Sequence, residues 1–277
     1  MTPSKFVFLL AVLATVSLAA PTPIVLLHGI KATNQTMAHV ADLLRQTIPG
    51  VYVHNAEIGK GDVDSFWPMT KQIDYLCKDL AADPHLQGGF NVFTVSQGGL
   101  VTRGYVERCN SPPVRNIAFW VSPQAGVSGV PMVEPWCDQV FHNSSLCYAL
   151  DHVFDAVVYT KEVQRPAGRP GQPARGQEPQ YRANMLALHD IVMVHSDIDK
   201  VLVPRESSSW VQYGPDGKTL VPLQQTEMYK QDWIGLRTLE ESGRLRFATV
   251  SIPHDDYYSP AFDGLFTKHA LPVLMKN

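Results

Sequence analysis

The sequence predicts an α/β fold, with a mostly parallel open sheet and helices on both of its faces. Short runs that are apolar on both sides alternate with amphipathic stretches, and Pro, Gly or Asp residues separate the two. Strands in a parallel sheet show such runs because helices cover both faces of the sheet. We find no internal repeat, so residues 21–277 are expected to form a single domain.

The first half of the chain gives the clearest elements. Residues 23–27 are an apolar run that ends at His28-Gly29, and residues 51–54 form a second strand after a Pro-Gly turn. Apolar residues recur at helical spacing over 62–82, which stops at an Asp-Pro pair. Residues 90–95 are predicted to be a strand and 97–108 the helix that follows it.

The second half continues this alternation after an interruption. Further strands are expected at 116–121, 191–194 and 245–250, and a closing helix at 262–274. The region at about 132–182 departs from the alternation, with a helix predicted near 146–164 and a stretch rich in Pro, Gly and Arg over 165–180. Such a stretch does not pack a core, so we expect a lid-like insertion here.

Composition excludes several classes of protein. The 277 residues carry 23 basic and 26 acidic side chains, and 45% are hydrophobic. A disordered chain has fewer apolar residues, and a nucleic-acid binder has an excess of basic ones, so neither class is expected. Lys5, an apolar run over 6–18 and small residues up to Ala20 predict a secretory signal peptide at 1–20, followed by a soluble, monomeric chain.

The cysteines agree with an exported protein. Cys77, Cys109, Cys137 and Cys147 are an even number, which favours disulfides. Cys137 and Cys147 enclose a short loop and are natural partners, although the sequence permits three pairings. No Cys or His cluster has the spacing of a zinc site, so neither a metal nor another cofactor is expected. Asn34 and Asn143 begin glycosylation sequons.

Ser96 is the candidate nucleophile. It lies in Thr94-Val95-Ser96-Gln97-Gly98, where a predicted strand gives way to a predicted helix. In the Gly-x-Ser-x-Gly motif, the serine of a sharp strand-to-helix turn is exposed above the sheet edge, and small neighbours let the backbone pass closely. Threonine replaces the first glycine here. The alternative interpretation is a serine that caps an ordinary helix.

A serine nucleophile needs a base and an acid that orients the base. In open-sheet hydrolases these follow in the order Ser, Asp, His. Asp199 and His254 each come shortly after a predicted strand, at the edge where ligands bind. Asp197 is an alternative acid, and His269, in the predicted closing helix, is a less suitable base.

Two backbone N–H groups are expected to bind the developing oxyanion. Gln97 follows the nucleophile directly and begins a helix, whose dipole adds to the effect. The second donor is expected from Ile30, in the loop after the first strand. His28 of this loop is expected to brace it rather than to act as a base.

These residues carry a family resemblance. The sequence resembles the palmitoyl-protein thioesterases, lysosomal α/β hydrolases that remove fatty acyl groups from cysteines. The matching stretches are 27–29, 49–53, 56–59, 96–99, 108–113, 126–131, 192–194, 222–226, 229–232, 235–236 and His254. The resemblance implies Asp199 as the acid, because the family acid lies five residues after the Val-Met-Val segment. It also implies the disulfides Cys77–Cys109 and Cys137–Cys147.

The sequence departs from the family pattern at two places. Thr94 replaces a glycine, and the stretch over 165–180 replaces a longer and more hydrophobic segment that helps to wall the acyl groove in the family. About ten buried methylenes contribute roughly 8 kcal/mol before costs, so this second change bears on chain-length preference.

The resemblance implies hydrolysis of fatty-acyl thioesters on S-acylated proteins or peptides, or of acyl thioesters such as acyl-CoA. It also implies the lysosome or the extracellular space as the destination and brief contact with a membrane surface. The alternatives are a lipase or carboxylesterase that acts on oxygen esters, and a non-catalytic acyl-binding protein. No nucleic-acid partner is expected.

Overall fold

The computed structural model describes residues 20–127, 178–214 and 216–276. Nearly all of the expected signal peptide and of the expected insertion lie outside these ranges, as do Cys137, Asn143 and Cys147. In the described part of the chain, no helix is both long and apolar enough to cross a membrane.

Six parallel strands form the central sheet, in the order β2-β1-β3-β4-β5-β8. They are β1 Ile24–Leu27, β2 Val53–Ala56, β3 Phe90–Val95, β4 Val114–Trp120, β5 Asp190–Ser196 and β8 Leu245–Val250. Two short antiparallel strands, β6 Gln212–Tyr213 and β7 Leu220–Val221, form a separate hairpin. The predicted parallel sheet is therefore confirmed. Its order reverses between β1 and β3, which creates the crevice where open α/β sheets bind ligands.

Helices cover both faces of the sheet. They are α1 Ala38–Thr47, α2 Met69–Ala82, α3 Gln97–Arg108, α4 Pro179–Leu186, α5 Glu227–Lys230, α6 Leu236–Glu241, α7 Pro260–His269 and α8 Leu271–Leu274. Alternate residues of β1 divide the core between the two faces. Ile24 and Leu26 pack in the cluster that α1, α7 and α8 cover, whereas Val25 and Leu27 pack in the cluster of α2, α3, α4 and α6.

Two predicted helices are each divided in the structure, and proline explains both divisions. The range 62–82 is a 3-10 helix, Asp62–Phe66, followed by α2, because Pro68 keeps Trp67 in an extended conformation. The range 262–274 is divided between α7 and α8, because Pro272 lacks the N–H that a continuous helix needs. Helix α4 begins at Pro179, so regular structure resumes inside the range expected for the insertion.

A disulfide between Cys77 and Cys109 joins α2 to the residue after α3. This confirms the first of the two expected pairs. The helix that bears the candidate nucleophile at its start is thereby fixed to its neighbour at its far end.

Candidate active site

The structure brings Ser96, Asp199 and His254 together at the carboxyl edge of the sheet. Ser96 directly follows β3, and the other two lie in the loops after β5 and β8. These loops are joined to each other, because the buried Ser196 hydroxyl donates a 2.6 Å hydrogen bond to the carbonyl oxygen of Ile252. The sheet therefore sets the spacing between the candidate acid and the candidate base.

Ser96 occupies a sharp turn. Its φ of 50° and ψ of −129° lie in a region that non-glycine residues rarely adopt, and α3 begins at the next residue. A Cβ atom at Gly98 would lie 2.4 Å from the carbonyl oxygen of His28, so only glycine fits there. At Gly29 a Cβ atom would lie 3.0 Å from Cβ of Ser96. The backbone thus passes the hydroxyl closely on both sides, as the sequence motif predicts.

Thr94, which stands in place of the first motif glycine, is fully buried. Its hydroxyl donates a 3.3 Å hydrogen bond to the carbonyl oxygen of Leu27, at the end of β1. The buried polar group therefore has a partner, and the threonine is compatible with the turn.

The three side chains form a hydrogen-bonded relay. Nε2 of His254 lies 3.0 Å from Oγ of Ser96, and Nδ1 of His254 lies 2.7 Å from Oδ2 of Asp199. The imidazole is therefore placed to accept the serine proton on one side, while the carboxylate holds it on the other.

Asp199 is buried and fully engaged. Burial alone would raise its pKa, but hydrogen bonds from His254 and from the N–H groups of Leu202 and Val201 outweigh that effect and hold the pKa below its usual value. Asp197, the alternative acid, is exposed. His254, and not His269 at the end of α7, contacts the Asp199 carboxylate. Because its pKa is held below the usual value, the Asp199 carboxylate is ionised at any pH near neutrality.

Ile30 and Gln97, the expected oxyanion donors, flank the nucleophile. Ile30 lies in the loop after β1, and Gln97 is the first residue of α3, where N–H groups have no acceptor inside the helix. Among the described residues, neither backbone N–H donates a hydrogen bond to the protein. Both amides therefore remain the candidate oxyanion donors.

An apolar cluster adjoins the relay. Leu100, one turn into α3, packs with Val127 and Leu202, and the half-buried Ile30 and Met69 pack against them. Leu202 also donates its N–H to Asp199, so the cluster lies directly beside the relay. It makes the packing on this side of the relay apolar.

The sequence model of the palmitoyl protein thioesterase family matches residues 23–172 and 170–254. The chain belongs to this family. The expectation of an acyl-thioester hydrolase is thereby confirmed.

Two relatives illustrate how far the family likeness extends. Palmitoyl-protein thioesterase 3 of Dictyostelium discoideum is 35% identical over 284 residues, covering 96% of this chain and 96% of the relative. Palmitoyl-protein thioesterase 1 of Caenorhabditis elegans is 30% identical over 263 residues, covering 84% of this chain and 86% of the relative.

The fold matches α/β hydrolases of known structure. A lipase of Bacillus licheniformis superposes with a TM-score of 0.51 at 13% identity, covering 93% of this chain and 94% of the lipase. This likeness shows the fold alone, and it confirms the expected α/β-hydrolase class.

Sequence reasoning missed two features of this thioesterase site. Glu57 lies 2.9 Å from His28 through Oε1, and nothing in a lone acidic residue after β2 indicated that contact. Val121, directly after β4, has a φ of 42°, which is rare for a β-branched residue.

Asn34, the sequon residue within the described ranges, is half-buried in the 3-10 helix Asn34–Met37.

Proposed function

We propose that this thioesterase hydrolyses fatty-acyl thioesters on S-acylated proteins or peptides through an acyl-enzyme on Ser96. The observation that carries this assignment is the continuous relay from Ser96 through His254 to Asp199, at 3.0 and 2.7 Å. The family supplies the substrate class, and the relay supplies the chemistry for cleaving it.

In the first half of the reaction, Oγ of Ser96 attacks the thioester carbonyl while its proton passes to Nε2 of His254. Asp199 holds the imidazole in the required orientation and stabilises the imidazolium that forms. The N–H groups of Ile30 and Gln97 bind the oxyanion, and each such donor contributes about 3 kcal/mol. The carbon–sulfur bond then breaks, and the thiolate takes the proton from His254.

In the second half, water replaces the thiol. His254 removes a proton from the water, the oxygen attacks the acyl carbonyl, and the fatty acid leaves as Oγ of Ser96 regains its proton.

The leaving group of the first half favours a thioester substrate. A cysteine thiol has a pKa of about 8.5, so it departs far more readily than an alkoxide. The chain's own residues account for each proton transfer.

The cluster of Leu100, Val127 and Leu202 favours a fatty acyl chain over a short acyl group. Each methylene that leaves water contributes about 0.8 kcal/mol. We therefore expect KM to fall as the acyl chain lengthens.

The cellular setting is part of the proposal. The apolar N-terminal segment and the Cys77–Cys109 disulfide favour entry into the secretory pathway, with the lysosome or the extracellular space as the destination. The proposed substrates are S-acylated proteins, peptides or acyl-CoA, and the enzyme is proposed to work as a monomer at or near membrane surfaces.

The test compares S-acyl and O-acyl substrates of equal chain length, from short to long acyl groups. We expect faster turnover of the thioesters and no turnover by Ser96→Ala. A fluorophosphonate probe should label the wild type and the control Ser242→Ala, whose serine is exposed beyond α6 at the opposite edge of the sheet, but not Ser96→Ala. Preference for oxygen esters would indicate a lipase or carboxylesterase, and full activity of Ser96→Ala would refute the mechanism.

A further inference from the structure

A buried His28–Glu57 pair lies beneath the loop that carries Ile30. Nδ1 of His28 lies 2.8 Å from the carbonyl oxygen of Gly29, and Nε2 lies 2.9 Å from Oε1 of Glu57. The His28 side chain is almost completely buried, while about a quarter of the Glu57 side chain is exposed. The N–H of Ile58 also donates a hydrogen bond to Nε2, at 3.5 Å.

Both ring nitrogens of His28 face oxygen atoms. The carbonyl oxygen of Gly29 offers only lone pairs, so the contact at Nδ1 is attractive only when Nδ1 carries the hydrogen. On the other side of the ring, the Glu57 carboxylate and the N–H of Ile58 both contact Nε2, and together they hold the ring against Gly29. Without the Glu57 side chain, one of these contacts is lost and the ring is freer to turn away from the Gly29 carbonyl.

The contact with Gly29 reaches the candidate oxyanion donor directly. The carbonyl of Gly29 and the N–H of Ile30 belong to one planar peptide group and point in opposite directions. Fixing the carbonyl therefore fixes the direction of the N–H. His28 holds one end of this peptide and so sets the direction of the other end.

Glu57 also fixes the far end of the same loop. Its Oε2 accepts a 2.8 Å hydrogen bond from the backbone N–H of Asn34, while Oε1 faces His28. We propose that Glu57 is a positioning residue that acts through His28 to orient the Gly29–Ile30 peptide for oxyanion binding. This inference rests on the proposed function, since it concerns the oxyanion of that reaction.

The test uses Glu57→Ala and Glu57→Gln in the full-length enzyme. Alanine removes the side-chain partner of Nε2, whereas glutamine can donate to Nε2 and so keep the hydrogen on Nδ1. We expect Glu57→Ala to lower kcat by about tenfold or more with KM within about twofold, and Glu57→Gln to recover part of the loss. Asp64→Ala is the matched control, because Asp64 accepts from the N–H of Lys60 after the same strand.

A second readout separates positioning from general damage. A trifluoromethyl ketone with a fatty chain forms a tetrahedral oxyanion on the serine, whereas the free fatty acid does not. Glu57→Ala should weaken binding of the ketone by about tenfold and leave binding of the fatty acid unchanged. If Glu57→Ala does not fold, Glu57→Gln must show the same pattern at smaller amplitude.

Equal kcat and equal ketone affinity in wild type and the folded Glu57 variants would overturn the inference. Equal losses for Glu57→Ala and Asp64→Ala would also overturn it, because the effect would then belong to the loop in general. The proposed function fails separately, through an active Ser96→Ala variant, so the two failures are distinguishable.

Discussion

Gly98→Ala is a sharp test of the geometry around Ser96. A Cβ atom at this position would lie 2.4 Å from the carbonyl oxygen of His28 and 2.7 Å from that of Leu27, whereas ordinary contact begins at 3.4 Å. Both obstacles are backbone atoms, so the loop after β1 must recede from α3 by about 1 Å. We expect the free energy of unfolding to fall by about 1–3 kcal/mol, as in other overpacked sites.

The same displacement separates Ile30 from Ser96, which should reduce kcat more than stability. A misplacement of about 1 Å costs on the order of 10²-fold in rate. Gly264→Ala is the matched control, because Gly264 also lies within a helix but has no atom within 4 Å of an added Cβ.

The assay measures thioester turnover and denaturant unfolding for both variants. Gly264→Ala should gain about 1 kcal/mol of stability from the better helix former and keep full activity. A Gly98→Ala variant with wild-type kcat would refute the close approach of the loop to α3.

Three further predictions test other parts of the structure. Asp199→Asn should lower kcat by about 10⁴-fold without unfolding the protein, as measured by kinetics and circular dichroism, because an amide does not hold the required imidazole tautomer. Thr94→Gly should lower the unfolding free energy by about 2 kcal/mol in denaturant titrations while activity is kept, and greater stability would contradict this. The hydrogen bond to Asp79 chiefly, with Asp83 on the other side, raises the pKa of His54 above 6.5 despite its burial. Protonated His54 therefore stabilises the fold fully below pH 6.5, and this contribution is lost as the pH rises through the folded-state pKa. The difference in the free energy of unfolding between wild type and His54→Gln should be larger near pH 5 than near pH 8.

The sequence was most informative where local and global signals coincide. The strand at 90–95 and the helix at 97–108 have the predicted bounds, because a mostly apolar run and a Ser-Gln-Gly-Gly turn each specify their own structure. The chain order of Ser96, Asp199 and His254, combined with parallel strands, was enough to predict that they share one edge.

Helix α1 was not predicted, and its ends explain why. Met37 precedes it without a side-chain cap, and Ile48 follows it in an extended conformation rather than a glycine. Val40 and Leu44 are buried at helical spacing, but so short a pattern without capping signals is weak. Tertiary packing against the sheet, which no local pattern encodes, supplies most of the stability of such a helix.

The contact between Glu57 and His28 was beyond prediction for a different reason. Glu57 meets His28 only because β1 and β2 are neighbours, with Leu27 opposite Ala56 in the register. An acidic residue after a strand is ordinarily a solvated loop residue, so its identity alone carries no signal. The pairing follows from the register, which the sequence does not specify without the sheet order.

Thr94 in the nucleophile turn shows that the motif limits how much side-chain volume the turn can hold. An added Cβ at Gly98 would lie 2.8 Å from the hydroxyl oxygen of Thr94, so the two positions compete for one space at the end of β1. A glycine at position 94 would leave part of that space empty, whereas Thr94 fills it and donates to Leu27. Position 94 therefore tolerates a side chain more readily than position 98, because only position 98 also faces two backbone carbonyl groups, which yield only if the loop after β1 moves.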